Sequence, residues 1–206
     1  YADGVLRRHC STAAVSRIKL NDMIVDRNGR AWVSNLGFDY ETETPRTTAL
    51  VGIEPDGHVI TAAEELWCPN GMAIDAAGKL LFVGQSASAE IIEFDIDAEG
   101  RLRNRRVFAR LPGSSVSDGL CVDSEQALWI ASPTTREFLR IERGGCISHR
   151  VPTGERSAIA RAGTRSRLRS RRQGRIRCDR RVAGRSGPPR LPEPQHRMPK
   201  SKPPAR

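Results

Sequence analysis

Three stretches of this chain repeat one phrase. "LNDMIVDRNGRAWVSN" at 20–35, "PNGMAIDAAGKLLFVG" at 69–84 and "SDGLCVDSEQALWIAS" at 117–132 align without internal gaps, placing Asn21, Asn70 and Asp118 in one column at separations of 49 and 48 residues. A sequence that repeats at this length builds the same supersecondary unit several times over, and the pattern inside the unit identifies it. After the Asn/Asp column each unit runs through a short apolar stretch, "MIVD", "MAID" or "LCVD", that ends in Asp26, Asp75 or Asp123. Turn-like triplets follow ("RNG", "AAG", "SEQ"), and then a second apolar run ("RAWVSN", "KLLFVG", "ALWIAS"). These are antiparallel hairpins.

The second half of the unit recurs as well. "ALVGIEPDGHVI" (49–60), "EIIEFDIDAEGRL" (90–102) and "EFLRIERGGCIS" (137–148) each read as strand, Gly-bearing turn, strand. Four short strands per unit, with no helical periodicity over residues 1–155, predict an all-β β-propeller. A β-sandwich competes, but it offers no reason for three strand entries to share a polar column. The expected blades are 21–68, 69–116 and 117–155. Residues 1–20 resemble the end of a preceding blade, with Asp3-Gly4 matching Asp56-Gly57, and 149–160 approaches a fourth polar column that does not arrive. About three blades are therefore expected, with unpaired edges that invite self-association. Trp32, Trp67, Trp129, Met23 and Met72 are expected in the core; Trp32 and Trp129 occupy matching places, where an aromatic fills the space between neighbouring sheets.

Charge divides the chain in two. Residues 1–155 carry 17 Lys and Arg against 22 Asp and Glu (net −5), whereas 156–206 carry 17 against 2 (net +15). The second piece, rich in Arg, Gly and Pro, has too few large apolar residues to offset the entropy of ordering and is expected to be a disordered tail. It reads either as a basic arm for nucleic acid or another polyanion, or as accidental sequence such as a shifted reading frame. No aromatic interleaves its arginines to stack on bases, so nucleic acid is not the expected partner. Five cysteines without a CxxC pair fit reduced thiols in a cytoplasmic setting. No apolar run approaches the roughly 20 residues that cross a bilayer. HExxH, a phosphate-binding glycine loop and a nucleophile elbow are absent; "GSSVSDG" at 113–119 brings serines to a loop but lacks G-x-S-x-G.

The polar column is the candidate site. Equivalent positions in a ring of blades lie at one height and one radius, so Asn21, Asn70 and Asp118 would converge at a mouth of the channel. They supply oxygens only, which suits a hard cation such as Ca²⁺ better than zinc. The alternative is that all three are hairpin-end turn residues.

On "LNDMIVDRNGRAWVSNLGFD", "CPNGMAID" and "NRRVFARLPGSSVSDGLCVDSEQALWIA", the chain resembles the regucalcin/gluconolactonase (senescence marker protein) family, six-bladed propellers with a divalent metal at the channel. That resemblance implies metal ligation by Asn70 and Asp118, with Ca²⁺ expected and Zn²⁺, Mg²⁺ or Mn²⁺ as alternatives. It also implies that Asn21 contacts substrate or a metal-bound water, and that Asp118 doubles as the base. Lys19 stands where many relatives carry a substrate-binding Arg, keeping the charge but losing the two-pronged hydrogen bonding. A Glu ligand of the family would precede Tyr1. The implied reaction is metal-dependent hydrolysis of a sugar lactone or similar cyclic ester, here expected of an incomplete or inactive fragment. The competing expectation is a non-catalytic binding module whose basic tail contacts a polyanion.

Overall fold

The computed structural model describes residues 3–39 and 41–153; the expected tail at 156–206 lies outside them. Among the described residues there is no helix, hence none long and apolar enough to cross a membrane. Twelve strands form three four-stranded antiparallel sheets. Blade A comprises β1 (Leu20–Val25), β2 (Ala31–Asn35), β3 (Thr48–Ile53) and β4 (Val59–Leu66). Blade B comprises β5 (Pro69–Ile74), β6 (Leu80–Gln85), β7 (Glu90–Ile96) and β8 (Leu102–Arg110). Blade C comprises β9 (Leu120–Val122), β10 (Leu128–Ser132), β11 (Glu137–Ile141) and β12 (Ile147–Pro152). In every sheet the strands lie in chain order, the up-and-down arrangement of a propeller blade. The fold is a partial β-propeller.

The Asp that closes the first strand of each unit explains the tight turns. Asp26 Oδ1 accepts the backbone N–H of Asn28 at 2.8 Å and of Arg30 at 2.9 Å. Asp75 does the same for Lys79 and Leu80, and Asp123 for Glu125 and Ala127. One short carboxylate thus satisfies two amide donors that the hairpin bend leaves without strand partners. The outer β7–β8 hairpin repeats the device with Asp97 and Arg101.

Alternation along the strands packs the sheets face to face. Trp32, Leu50 and Leu66 of blade A meet Met72, Leu81, Val83, Ile92 and Phe94 of blade B in one buried cluster. Ala73, Phe82, Ile91 and Phe108 of blade B meet Leu120, Leu128, Ile130, Leu139 and Ile141 of blade C in the next. Within the pairing registers Trp32 opposes Ile24, Phe82 opposes Ala73 and Trp129 opposes Cys121, so the three aromatics are equivalent. Trp32 and Phe82 are buried against the following blade. Trp129 is half-buried, because blade C has no following sheet among the described residues. Trp67, in the link between β4 and β5, is half-buried too. The expectation for Met23 fails: Met72 is covered by blade A at 4% exposure, but Met23, at the same register of β1, is 60% exposed because no described sheet precedes it. Ahead of β1, Cys10 and Val15 pack on Ala31, Val33, Val51 and Ile53 of blade A.

Polar links stitch the blades together at their rims. Arg30 donates to Glu54 within blade A and to the Glu99 carbonyl of blade B, at 2.9 and 2.8 Å. Arg105 reaches back to the carbonyls of Glu64 and Glu65. Arg143 of blade C pairs with Glu93 of blade B at 3.2 Å and lies over the Phe108 ring.

Inside blade C, Arg140 is 5% exposed and donates to Asp123 at 2.6 Å, Glu125 at 2.7 Å and Glu142 at 3.0 Å. The Trp129 indole N–H donates to the same Asp123 oxygen at 3.1 Å. Burial pushes the Asp123 carboxyl upward, but the bond from Arg140, two backbone amides and the guanidinium charge outweigh it and hold the group below its ordinary value. A carboxyl so lowered contributes stability above its unfolded pKa and loses it as pH falls through the folded value. Arg140→Met should therefore cost about 2 kcal/mol at neutral pH, since it leaves the half-buried Asp123 carboxylate without its cation, while the exposed Glu125 and Glu142 stay hydrated. The loss should shrink as pH falls below the ordinary aspartate range and Asp123 takes up its proton; thermal melts across pH 3–8 check both statements.

Candidate metal and substrate site

Both Asn21 and Asn70 sit in strand irregularities of the same kind. The β1–β2 register shifts between Leu20 and Met23, and the β5–β6 register shifts between Pro69 and Met72, so each Asn lies in a bulge at the start of an innermost strand. A bulge frees one residue from the alternation and re-aims its side chain. Asp118 enters blade C just ahead of β9, with its N–H donated to the Ala131 carbonyl at 3.0 Å and Ala131 N–H returned to Gly119.

The B–C boundary brings two of the column residues together. Gly71 N–H donates to the Asp118 carbonyl at 3.1 Å. A Cβ on Gly71 would stand 2.3 Å from that carbonyl oxygen, 2.6 Å from Gly119 Cα and 2.7 Å from Leu120 N, so only glycine lets the two backbones meet here. The contact brings Asp118 to Asn70, whose amide acts to lower the Asp118 carboxyl. Asn70 Nδ2 also donates to Ser86 Oγ at 3.2 Å, and Ser86 Oγ donates to the Ser117 carbonyl at 2.6 Å. With its proton committed to Ser117, Ser86 can only accept from Asn70. That fixes which end of the amide is nitrogen and leaves Asn70 Oδ1 as the acceptor available to a ligand.

Asp118 is half-buried, and burial is the largest influence on its carboxyl, driving it above the ordinary value. The hydrogen bond from Asn70 opposes this, and the negative charge of Asp22 adds to it. Asp22 is the residue that the sequence reading passed over. It occupies the place in β1 that Gly71 occupies in β5, and its backbone is held from both sides by Ser34, whose hydroxyl accepts from Asp22 N at 2.9 Å and donates to Asp22 O at 3.2 Å. The signal was legible: "ND" stands where the other units have "NG" and "DG".

A groove of about 1270 Å³ runs along β1 and β5 at the hub, and Asn21, Asp22, Met23, Met72, Ile74 and Leu120 are among the residues that line it. Asn21 is exposed at this groove, while Asn70 and Asp118 are half-buried. Lys19 is exposed just ahead of β1 and accepts a backbone bond from Leu36 at 3.2 Å. The structure thus brings Asn70 to Asp118 and sets Asp22 close enough to act on Asp118; Asn21 and Asp22 line the groove, whereas Asn70, Asp118 and Lys19 are not among its lining residues.

The donor chemistry fits a hard cation. Asp118 and Asn70 supply a carboxylate and an amide, and every influence on Asp118 is burial, an amide or the like charge of Asp22, with no cationic side chain compensating it. Among the described residues no three His, Cys, Asp or Glu side chains group together. No disulfide forms there either.

The sequence pattern described as the SMP-30/Gluconolactonase/LRE-like region matches residues 2–167. The chain belongs to this family. Among curated relatives, the regucalcin of Danio rerio is 27% identical over 147 residues, covering 69% of this chain and 50% of that protein. Among solved structures, a gluconolactonase from Xanthomonas campestris is 28% identical with a TM-score of 0.61, over 78% of this chain and 56% of that one. A calcium-binding regucalcin from Agrobacterium tumefaciens shares the fold at 20% identity and a TM-score of 0.63, over 73% and 51%. The chain spans about half the length of these members of the family.

Proposed function

We propose that this chain opens a sugar lactone or similar cyclic ester by metal-assisted hydrolysis at the Asn70–Asp118 junction. The observation that carries the reading is the junction of Asn70 and Asp118 across the B–C boundary, held by the Gly71 contact and oriented by Ser86. Kinship to a gluconolactonase at 28% identity supports the substrate class. The words calcium-binding, attached to a structural neighbour, support a divalent ion of which Ca²⁺ is the first candidate.

Asp118 and Asn70 Oδ1 would hold the ion, with the Asp22 carboxylate adding negative charge. Such an ion, when bound, polarises a carbonyl and makes its water more acidic. The protein's own part is positional and basic. Asp118 is the carboxylate placed to take a proton from the attacking water. Asn21 offers an exposed amide to the hydroxyls of the ring. Lys19 places a positive charge near the groove, where the reaction generates an aldonate anion. Ser86 positions Asn70 without touching substrate.

The test is proton release from an unsubstituted aldonolactone with the full chain in Ca²⁺, Zn²⁺, Mg²⁺ or Mn²⁺, and in chelator. The expected result is hydrolysis above the uncatalysed rate in at least one metal, abolished by chelator. Asn70→Ala and Asp118→Ala should each lose about a hundredfold or more. Metal-independent opening, or no thermal stabilisation by any of the four ions, would overturn the proposal.

A further inference from the structure

Of the chain's asparagines only Asn28 and Asn70 precede a glycine, and the fold treats the two pairs in opposite ways. A glycine amide nitrogen has no side chain of its own to shield it, so it can attack the preceding side-chain amide once the two are brought into contact. Asn28 and Gly29 lie in the β1–β2 turn and both are exposed. Among the described residues the Asn28 side chain makes no hydrogen bond, although its backbone N–H donates to Asp26. The Gly29 N–H donates to the Asp26 carbonyl at 3.1 Å, but this bond closes a single exposed turn, the kind of contact that opens locally at low cost. At the other pair Gly71 is buried, and its N–H crosses to the Asp118 carbonyl of the neighbouring sheet, also at 3.1 Å. The Asn70 amide is held on Ser86 at 3.2 Å, and Ser86 is fixed in turn on the Ser117 carbonyl. To bring Asn70 Cγ onto Gly71 N, contacts between two sheets must break.

We propose that Asn28 is a site of spontaneous deamidation at the seam between blades A and B, and that the Gly71–Asp118 contact shields Asn70 from the same reaction. The Gly29 nitrogen gives its proton to hydroxide and attacks Asn28 Cγ. The N–Cγ bond forms, the Cγ–Nδ2 bond breaks, and Nδ2 leaves as ammonia after taking a proton from water. Water then opens the cyclic imide. Cleavage at Cγ gives an aspartate; cleavage at the main-chain carbonyl carbon gives an isoaspartate, whose main chain runs through the side-chain carbons and is longer by one atom. No oxidant or reductant takes part. Either product sets a second carboxylate beside Asp26, whose Oδ1 accepts the N–H groups of Asn28 and Arg30. The longer chain also displaces Arg27 and Arg30, which flank the pair and hold blade A on blade B through the Ala76 and Glu99 carbonyls at 3.0 and 2.8 Å. Each of these guanidinium groups packs over a glycine of blade B, Gly78 or Gly100. The reaction therefore loosens the A–B seam and spares the Asn70–Asp118 junction, whatever that junction binds.

Peptide mass spectrometry of the full 206-residue chain, aged at mildly alkaline pH and physiological temperature, tests this. Aspartate and isoaspartate should accumulate at position 28 at least about tenfold faster than at position 70, where hydrogen bonds between sheets must open first. In guanidinium chloride both pairs lose their neighbours, and the two rates should converge to within about threefold. Ser86→Ala, checked for a cooperative melt, should speed the reaction at 70 by about fivefold and leave that at 28 unchanged. The aged wild type should melt below the fresh protein, whereas Asn28→Ser aged alongside it should keep its midpoint. Modification at 70 as fast as at 28 in the folded chain, rates that stay apart in denaturant, a rate at 70 indifferent to Ser86→Ala, or an aged wild type that melts as it did when fresh would overturn the proposal.

Discussion

Gly71→Ala is expected to lower the unfolding midpoint by about 6–12 °C and to remove divalent-ion binding in the same step. The added methyl would meet three backbone atoms of blade C: the Asp118 carbonyl oxygen at 2.3 Å, Gly119 Cα at 2.6 Å and Leu120 N at 2.7 Å. None is the end of a flexible side chain, so relief requires one sheet to retreat from the other. Overpacking of this kind costs about 3 kcal/mol, and for a domain of this size each kcal/mol is worth about 2–4 °C. The retreat also opens the Gly71 N–H bond to Asp118 and draws the carboxylate away from Asn70. Gly113→Ala is the matched control. Gly113 has a φ of +58° but nothing within 4 Å of an added Cβ, so only a backbone penalty of about 1 kcal/mol should appear, with ion binding intact. Equal melting of the two variants would mean that the sheets do not approach so closely at Gly71.

The second large effect runs in the opposite direction. Asp118→Asn should raise the melting temperature of the chelator-treated protein at neutral pH while abolishing its response to Ca²⁺. Because burial lifts the Asp118 carboxyl above its ordinary value, the folded chain holds that proton more tightly than the unfolded chain does. Stability therefore falls as pH rises from the unfolded pKa, about 3.9, through the raised folded value, and stays lowered above it. An amide carries no such penalty, so the gain should appear at pH 7 and vanish near pH 3, where the wild-type carboxyl is already protonated. In Ca²⁺ the order reverses: an ion present at 100 times its Kd stabilises the wild type by about 2.7 kcal/mol and the variant not at all. Melts at pH 3 and pH 7, with and without Ca²⁺, decide the matter. A variant that melts below the wild type in chelator, or that Ca²⁺ still protects, would remove Asp118 from the ion site.

Much of this protein is legible before folding, because a repeat states its unit several times. The Asp column at 26, 75 and 123 follows directly from turn chemistry, and each carboxylate caps its own bend. The aromatic column was legible only in part. Trp32 and Trp129 were matched, but Phe82 completes the set, and whether each is covered depends on the neighbouring sheet. Met23 shows the limit, since its apolar character called for burial and the missing neighbour left it exposed. Asp22 was marked in the repeat, as "ND" against "NG" and "DG", but its effect on Asp118 spans 96 residues of chain, and no local pattern reports charge across such a gap.

Alternation, turn residues and the 48- to 49-residue repeat are local properties, so the sequence by itself determined the strands, their hairpins, the four-stranded unit and the family. Contact between blades is not local. Only the tertiary structure decided that the Gly71 backbone lies against Asp118, that Ser86 orients Asn70, and that Asp22 rather than a cation stands near the Asp118 carboxyl. The physical reason is that each sheet is specified by neighbours along the chain, whereas a site at the hub is specified by how closely two sheets pack, and one methyl group at Gly71 would change that.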